Sequence, residues 1–188
     1  VCMTALPLAV NQPFGDSGLS LPPIVFGTSC LGNLYRALSW ETKRGIMAAF
    51  FEHVAPPVVL DTAGKYGAGL ALEVMGRGLR DLGVSADQVV ISNKLGWKRI
   101  PLRGAGPTFE PGAWADLEHD AEQAISYAGI LECWEQGCEL LGGVRPSILS
   151  VHDPDEYVAA AVSPTDRERR GDDIVAAYSA LHELKAKG

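Results

Sequence analysis

Val58-Val59-Leu60-Asp61, Val89-Val90-Ile91-Ser92-Asn93-Lys94 and Ile148-Leu149-Ser150-Val151-His152 are three short apolar runs, each closing on a polar side chain able to do chemistry. Short runs of β-branched and aliphatic residues, separated by helical stretches, read as parallel strands buried on both faces. An ionisable residue at the carboxyl end of such a strand lies at the rim where α/β folds gather their active sites. Three such ends at one rim point to an enzyme.

Working outward, Ile24-Val25-Phe26-Gly27 reads as a first strand, followed by a loop through Leu34. Ser39 caps a helix over residues 41–53; Thr42 stands where a full capping box needs an acidic or amide residue, so only half of that motif is present. Ile46, Phe50 and Val54 give this helix one apolar face. Residues 70–82 carry Leu72, Met75, Leu79 and Leu82 at helical spacing, and Gly83 supplies a stop. Residues 96–128, rich in Gly and Pro and carrying Trp97, Phe109 and Trp114, form a long connection, expected to be a lid or pocket wall. A helix over residues 130–141 precedes the strand that delivers His152. Residues 163–171 read as a polar loop and 172–187 as a last helix. Ahead of all this, Phe14-Gly15-Asp16-Ser17-Gly18-Leu19 reads as a tight hairpin connection, a lid or plug over residues 1–20.

The order is strand then helix, four times over. Right-handed crossovers place the four strands parallel with helices outside. The sheet is then either an open doubly wound one or about half of an eight-stranded barrel, whose usual length is about 250 residues. No Gly-x-Gly-x-x-Gly follows the first strand, which disfavours an ordinary Rossmann dinucleotide site.

Composition narrows the partners. Sixteen Lys and Arg against twenty-three Asp and Glu give a formal charge of −7, which repels a phosphate backbone, so no nucleic acid is expected. The longest apolar stretches fall far short of the ~20 residues that cross a bilayer, so no membrane span is expected. Cys2, Cys30, Cys133 and Cys138 lack C-x-x-C spacing, and no secretory signal is visible at the start; a reducing cytoplasm fits best.

Asp61-Thr62-Ala63 with Tyr66-Gly67, then Ser92-Asn93-Lys94 and Val151-His152-Asp153 at the next strand ends, resembles the aldo-keto reductase family. Phe26-Gly27-Thr28 and Gly69-Leu70-Ala71-Leu72-Glu73 agree with it, and the likeness runs over residues 19–188. Residues 64–70 and 94–99 look most like its sugar-oxidising branch, the L-fucose and D-threo-aldose dehydrogenases, and the similar pyridoxal 4-dehydrogenases. The resemblance implies an α/β (β/α)8 TIM barrel. About the first four β-α units are present, in a single domain over residues 1–188 made of an N-terminal hairpin plus half a barrel. The fifth strand would begin where this sequence stops, and in the family most cofactor contacts come from the second half.

The resemblance also implies roles. Tyr66 is the general acid and base. A phenol has a reference pKa of about 10, so a neighbouring ammonium is needed to favour its phenolate near neutrality, and Lys94 supplies one. Asp61 holds Lys94 charged and oriented, and His152 hydrogen-bonds the substrate oxygen. Gly27, Thr28 and Asp61 are the expected contacts to a nicotinamide cofactor, NAD or NADP. Trp97, Tyr66 and His152 are the expected contacts to a small sugar or pyridoxal-like substrate, although Trp97 reads equally well as an anchor for the long loop. Taken singly, an Asp after a strand is an ordinary turn residue, a Tyr ordinary packing and a Lys ordinary surface; jointly, at matching strand ends, they are not. Two other readings stay open. One is a non-catalytic half-barrel that needs the missing C-terminal half or a partner, such as a second copy associating through exposed sheet edges. The other is a metal-dependent barrel lyase or hydrolase using His152 and Asp153 with His53 or His119, which no paired-histidine spacing supports, so no metal is expected. Cys30, Cys133 and Cys138 read as small packing residues.

Overall fold

A computed structural model describes residues 10–187; Cys2 and the opening stretch, residues 1–9, lie outside the described residues. A small antiparallel hairpin comes first, β1 (Gln12–Pro13) against β2 (Ser20–Leu21), with Phe14 N–H donating to the Leu19 carbonyl across the turn. The main sheet follows: β3 (Phe26–Gly27), β4 (Val58–Ala63), β5 (Val89–Leu95) and β8 (Ile148–Val151), adjacent in that order and all parallel. The helices between them are α1 (Trp40–His53), α2 (Leu70–Asp81) and α3 (Tyr127–Leu140), with α5 (Pro164–Lys187) after β8. The expected four strand-helix repeats are therefore present.

Burial shows why the apolar runs become central strands. Every residue of β4 except Asp61 is buried, as a strand covered on both faces requires. Leu60, Leu72, Met75 and Ile91 are fully enclosed in the core between α1, α2 and the sheet, where each contributes about 1.5–3 kcal/mol of burial. Ser39 Oγ accepts from Thr42 N–H at 3.2 Å, confirming the half capping motif, and Phe50 of α1 stacks on Phe26 of β3. Gly83 ends α2 with φ +67°.

Four expectations change. The first strand is shorter than residues 24–27, because the Pro22-Pro23 pair ahead of it has no N–H to offer a sheet and leaves Ile24 and Val25 exposed. Residues 163–171 are not a loop: they form the first turns of α5, held by Asp166–Arg169, Asp166–Arg170 and Arg169–Asp173 ion pairs and by Ser163 Oγ accepting from Asp166 N–H. A short helix, α4 (Pro154–Ala159), intervenes after His152. The long connection carries its own antiparallel ribbon, β6 (Trp97–Pro101) with β7 (His119–Gln123).

That ribbon is pinned. Asp120 of β7 is fully buried, and its carboxylate accepts from Thr108 N–H, Thr108 Oγ–H and Ala121 N–H at 2.8–3.0 Å. Burial works to raise its pKa, but these donors outweigh it and hold the carboxyl below its usual range. The connection is also strapped to the loop after β3, where Tyr35 N–H donates to Ala113 and Ala115 N–H to Asn33.

The hairpin lies away from the rim. Phe14, Ser17 and Leu19 share a groove of about 770 Å³ with Ser147 and Ile148 at the start of β8 and with Tyr178 of α5. Among the described residues no helix is long and apolar enough to cross a membrane.

Candidate active site

The parallel register sets the site. Gly27 stands opposite Asp61, Asp61 opposite Ser92, and Ala63 opposite Lys94, so side chains at the carboxyl ends of β3, β4 and β5 meet at one rim. His152 follows β8 directly, its N–H donating to the Leu95 carbonyl at 2.8 Å. Tyr66 sits in a tight turn after β4. That turn packs backbone to backbone on the loop after β3: a Cβ at Gly67, where φ is +63°, would stand 2.2 Å from the Gly32 carbonyl oxygen. Only glycine tolerates both the left-handed conformation and the approach.

The four expected side chains converge. Lys94 Nζ donates to Asp61 Oδ2 and lies 3.0 Å from Tyr66 Oη, which accepts from it. Ser92 Oγ donates to the other oxygen of Asp61 at 3.1 Å. The His152 ring meets Tyr66 edge-on, centroids 5.7 Å apart. Burial works against the charge on Lys94, but hydrogen bonds to Asp61 and Tyr66 outweigh it and hold the ammonium's pKa above the ordinary lysine value. His152 goes the other way: burial first, then the Lys94 and Lys65 ammoniums against the pull of Asp153, push its pKa down to about 4. The imidazole is neutral at physiological pH.

Around Tyr66 lies a pocket of about 440 Å³ whose lining includes Lys65, Glu110, Trp114 and Asp153. The tryptophan on its wall is Trp114, not Trp97. Trp97 is half-buried against Phe109 and lies under the Lys65 ammonium, so of its two readings the loop anchor is the one the packing supports. Thr28, expected at the cofactor, is fully buried with its hydroxyl donated to the Asp61 carbonyl at 2.9 Å; it fastens β3 to β4. Gly27 is exposed, with nothing within 4 Å of where a Cβ would stand, so an open backbone patch adjoins Asp61.

Sequence reading assigned no role to Lys65 and Glu110, and weighed Asp153 only as a metal ligand. Lys65 stood beside Tyr66 and was open to inspection; Glu110 comes from the middle of the long connection, where no periodicity places it. His53 ends α1 and His119 lies on β7, and among the described residues no group of three His, Cys, Asp or Glu is placed to hold a metal.

The sequence pattern of the Aldo/keto reductase family matches residues 23–188. The chain belongs to that family. A curated relative, the D-threo-aldose 1-dehydrogenase of a Pseudomonas species, is 28% identical over 180 residues, which is 92% of this chain and 49% of that protein. This aldo-keto reductase chain therefore spans about half the length of the curated relative it matches. Among solved structures, an aldo-keto reductase from Bacillus halodurans in its holo form superposes with a TM-score of 0.62 at 22% identity, covering 95% of this chain and 47% of that one. The glycerol dehydrogenase of Gluconobacter oxydans gives 0.57 at 17% identity, covering 93% and 45%. A Klebsiella pneumoniae aldo/keto reductase in complex with NADP and acetate gives 0.54 at 19%, covering 90% and 43%. The four strand-helix units are those of an aldo-keto reductase barrel.

Proposed function

We propose that this chain carries the proton-transfer half of a nicotinamide-dependent oxidoreductase. It oxidises a sugar hemiacetal of the L-fucose or D-threo-aldose kind to a lactone, or in reverse reduces a carbonyl. The observation that carries this reading is the 3.0 Å contact between Lys94 Nζ and Tyr66 Oη, backed by Asp61.

In the oxidising direction the anomeric hydroxyl lies against Tyr66 Oη and gives up its proton there. Tyr66 takes that proton as the phenolate, which the Lys94 ammonium stabilises before the transfer and which becomes the neutral phenol after it, and Asp61, held by Ser92, keeps that ammonium charged and in place. Neutral His152, edge-on to the Tyr66 ring, holds the phenol in place against the substrate oxygen so that the reacting groups are correctly turned. Gly27 and Asp61 would border the nicotinamide of NAD or NADP, which when bound supplies the hydride acceptor. Trp114 and the half-buried ring of Tyr66 form an apolar wall suited to the face of a sugar ring.

Nicotinamide absorbance with L-fucose, D-threo-aldoses and pyridoxal as substrates tests the reading. Tyr66→Phe lowers kcat by about 10²- to 10⁴-fold with the circular dichroism spectrum intact. Undiminished turnover in that variant removes Tyr66 as the proton-transfer group.

A further inference from the structure

The reaction above gives Lys65 no task, yet its placement is costly. The residue is 5% exposed, and its ammonium lies 2.8 Å from Glu110 Oε1, 3.2 Å from Asp153 Oδ2 and 3.4 Å from Glu156 Oε2. It also lies 5.1 Å above the Trp97 ring. A lysine taken out of water needs such partners. They come from three segments: the long connection, the turn after β8, and α4. Glu110 in turn accepts from Trp114 Nε1–H at 2.7 Å, so the pocket wall hangs from the same ammonium.

Asp153 Oδ2, the oxygen that Lys65 holds, lies 3.3 Å from His152 Nε2. Asp153 has φ +45°, a left-handed backbone that its surroundings must maintain. His152 Nδ1 is buried with no hydrogen-bond partner among the described residues. A neutral imidazole has one N–H; on Nδ1 it would be a buried, unpaired donor, and on Nε2 it faces a carboxylate.

We propose that Lys65 is a positioning residue: by anchoring Asp153 Oδ2 it keeps that carboxylate against His152 Nε2, which holds the imidazole's single proton on Nε2 and fixes the ring beside Tyr66. The charged groups acting on the ring are Asp153 and Glu110 on one side of the balance and Lys94 and Lys65 on the other, with the edge contact to Tyr66 completing its surroundings. Removing the Lys65 charge leaves Asp153 untethered and its field on the ring uncompensated. The kinetic consequence rests on the reaction proposed above; the tautomer does not.

The test is nitrogen-15 NMR of the histidine side chains in the full chain, with His152→Asn identifying the signals. The wild type shows a neutral Nε2–H tautomer. Lys65→Met raises the midpoint of His152 protonation by about one pH unit and mixes the tautomers, and Lys65→Arg restores the original signature. Asp153→Ala leaves the Lys65–Glu110 pair in place, mixes the tautomers and moves the midpoint of His152 protonation down instead of up, so it decides the matter if Lys65→Met does not fold. Unmoved His152 signals in the variants that fold overturn the proposal. In kinetics Lys65→Met lowers kcat more than it changes KM. A wild-type chain without turnover but with these spectral shifts removes the proposed reaction and leaves the role of Lys65 standing. Turnover that depends on Tyr66, with His152 signals indifferent to Lys65 and Asp153, does the reverse.

Discussion

Acid should unfold this protein partly through one imidazole. His152 in a peptide would titrate near 6.5, whereas burial and the two nearby ammoniums bring it down to about 4 in the fold. Between those values the unfolded chain binds a proton that the folded chain refuses, so stability rises with pH through the window. The contribution is complete above pH 6.5, falls as the pH drops toward 4, and levels off below. The gap corresponds to about 3 kcal/mol in full, of which about 2 kcal/mol is gone by pH 5. Replacing His152 by Asn removes the titrating group and keeps a polar side chain. Urea unfolding followed by tryptophan fluorescence at pH 7.5, 6, 5 and 4 should show the wild-type stability declining by about that much more than the variant's. Asp120 and Asp166, both held below the usual carboxylate range, titrate alike in the two proteins and cancel. Parallel curves for wild type and His152→Asn would refute the reasoning.

Other expectations are quicker to check. Gly67→Ala sets a Cβ against the Gly32 carbonyl in a left-handed backbone, and should cost at least about 2 kcal/mol in urea melts; Gly83→Ala, with a similar φ but open space around it, should cost only about 1 kcal/mol. Equal effects would show that the Gly32 contact does not matter. Ser39→Ala removes the acceptor for Thr42 N–H and should destabilise the chain by about 1 kcal/mol, read as a lower urea midpoint at unchanged slope.

The main sheet and the rim were legible because both depend on local pattern. Val58-Val59-Leu60 is buried throughout and Val89-Val90-Ile91 is buried but for the half-buried Val90, and the polar residue that ends each run marks the rim in sequence as it does in space. The outer ribbon was not legible. His119-Asp120-Ala121-Glu122-Gln123 has none of the apolar alternation that betrays a strand, and what makes it one is pairing with Trp97–Pro101 and a carboxylate buried under Thr108. The start of α5 was missed for a related reason: with Arg167, Glu168, Arg169, Arg170 and Gly171 in succession it looks like surface coil, and charge pairs one turn apart supply what hydrophobic spacing does not. Within the site, the residues at strand ends were readable. Glu110 and Trp114 were not, since their places are set by contacts with Lys65 and Leu34 far away in the chain.

The buried carboxylate of Asp120 reaches beyond the ribbon it pins. With Thr108 fixed on one side and the Asn33–Tyr35 segment strapped on the other, the stretch that carries Glu110 and Trp114 is ordered before any small molecule arrives. Its loss of freedom belongs to folding and is not subtracted again from affinity. Capture of a substrate at this mouth should accordingly be a single fast encounter, without the slow second phase that closing a loose flap would add.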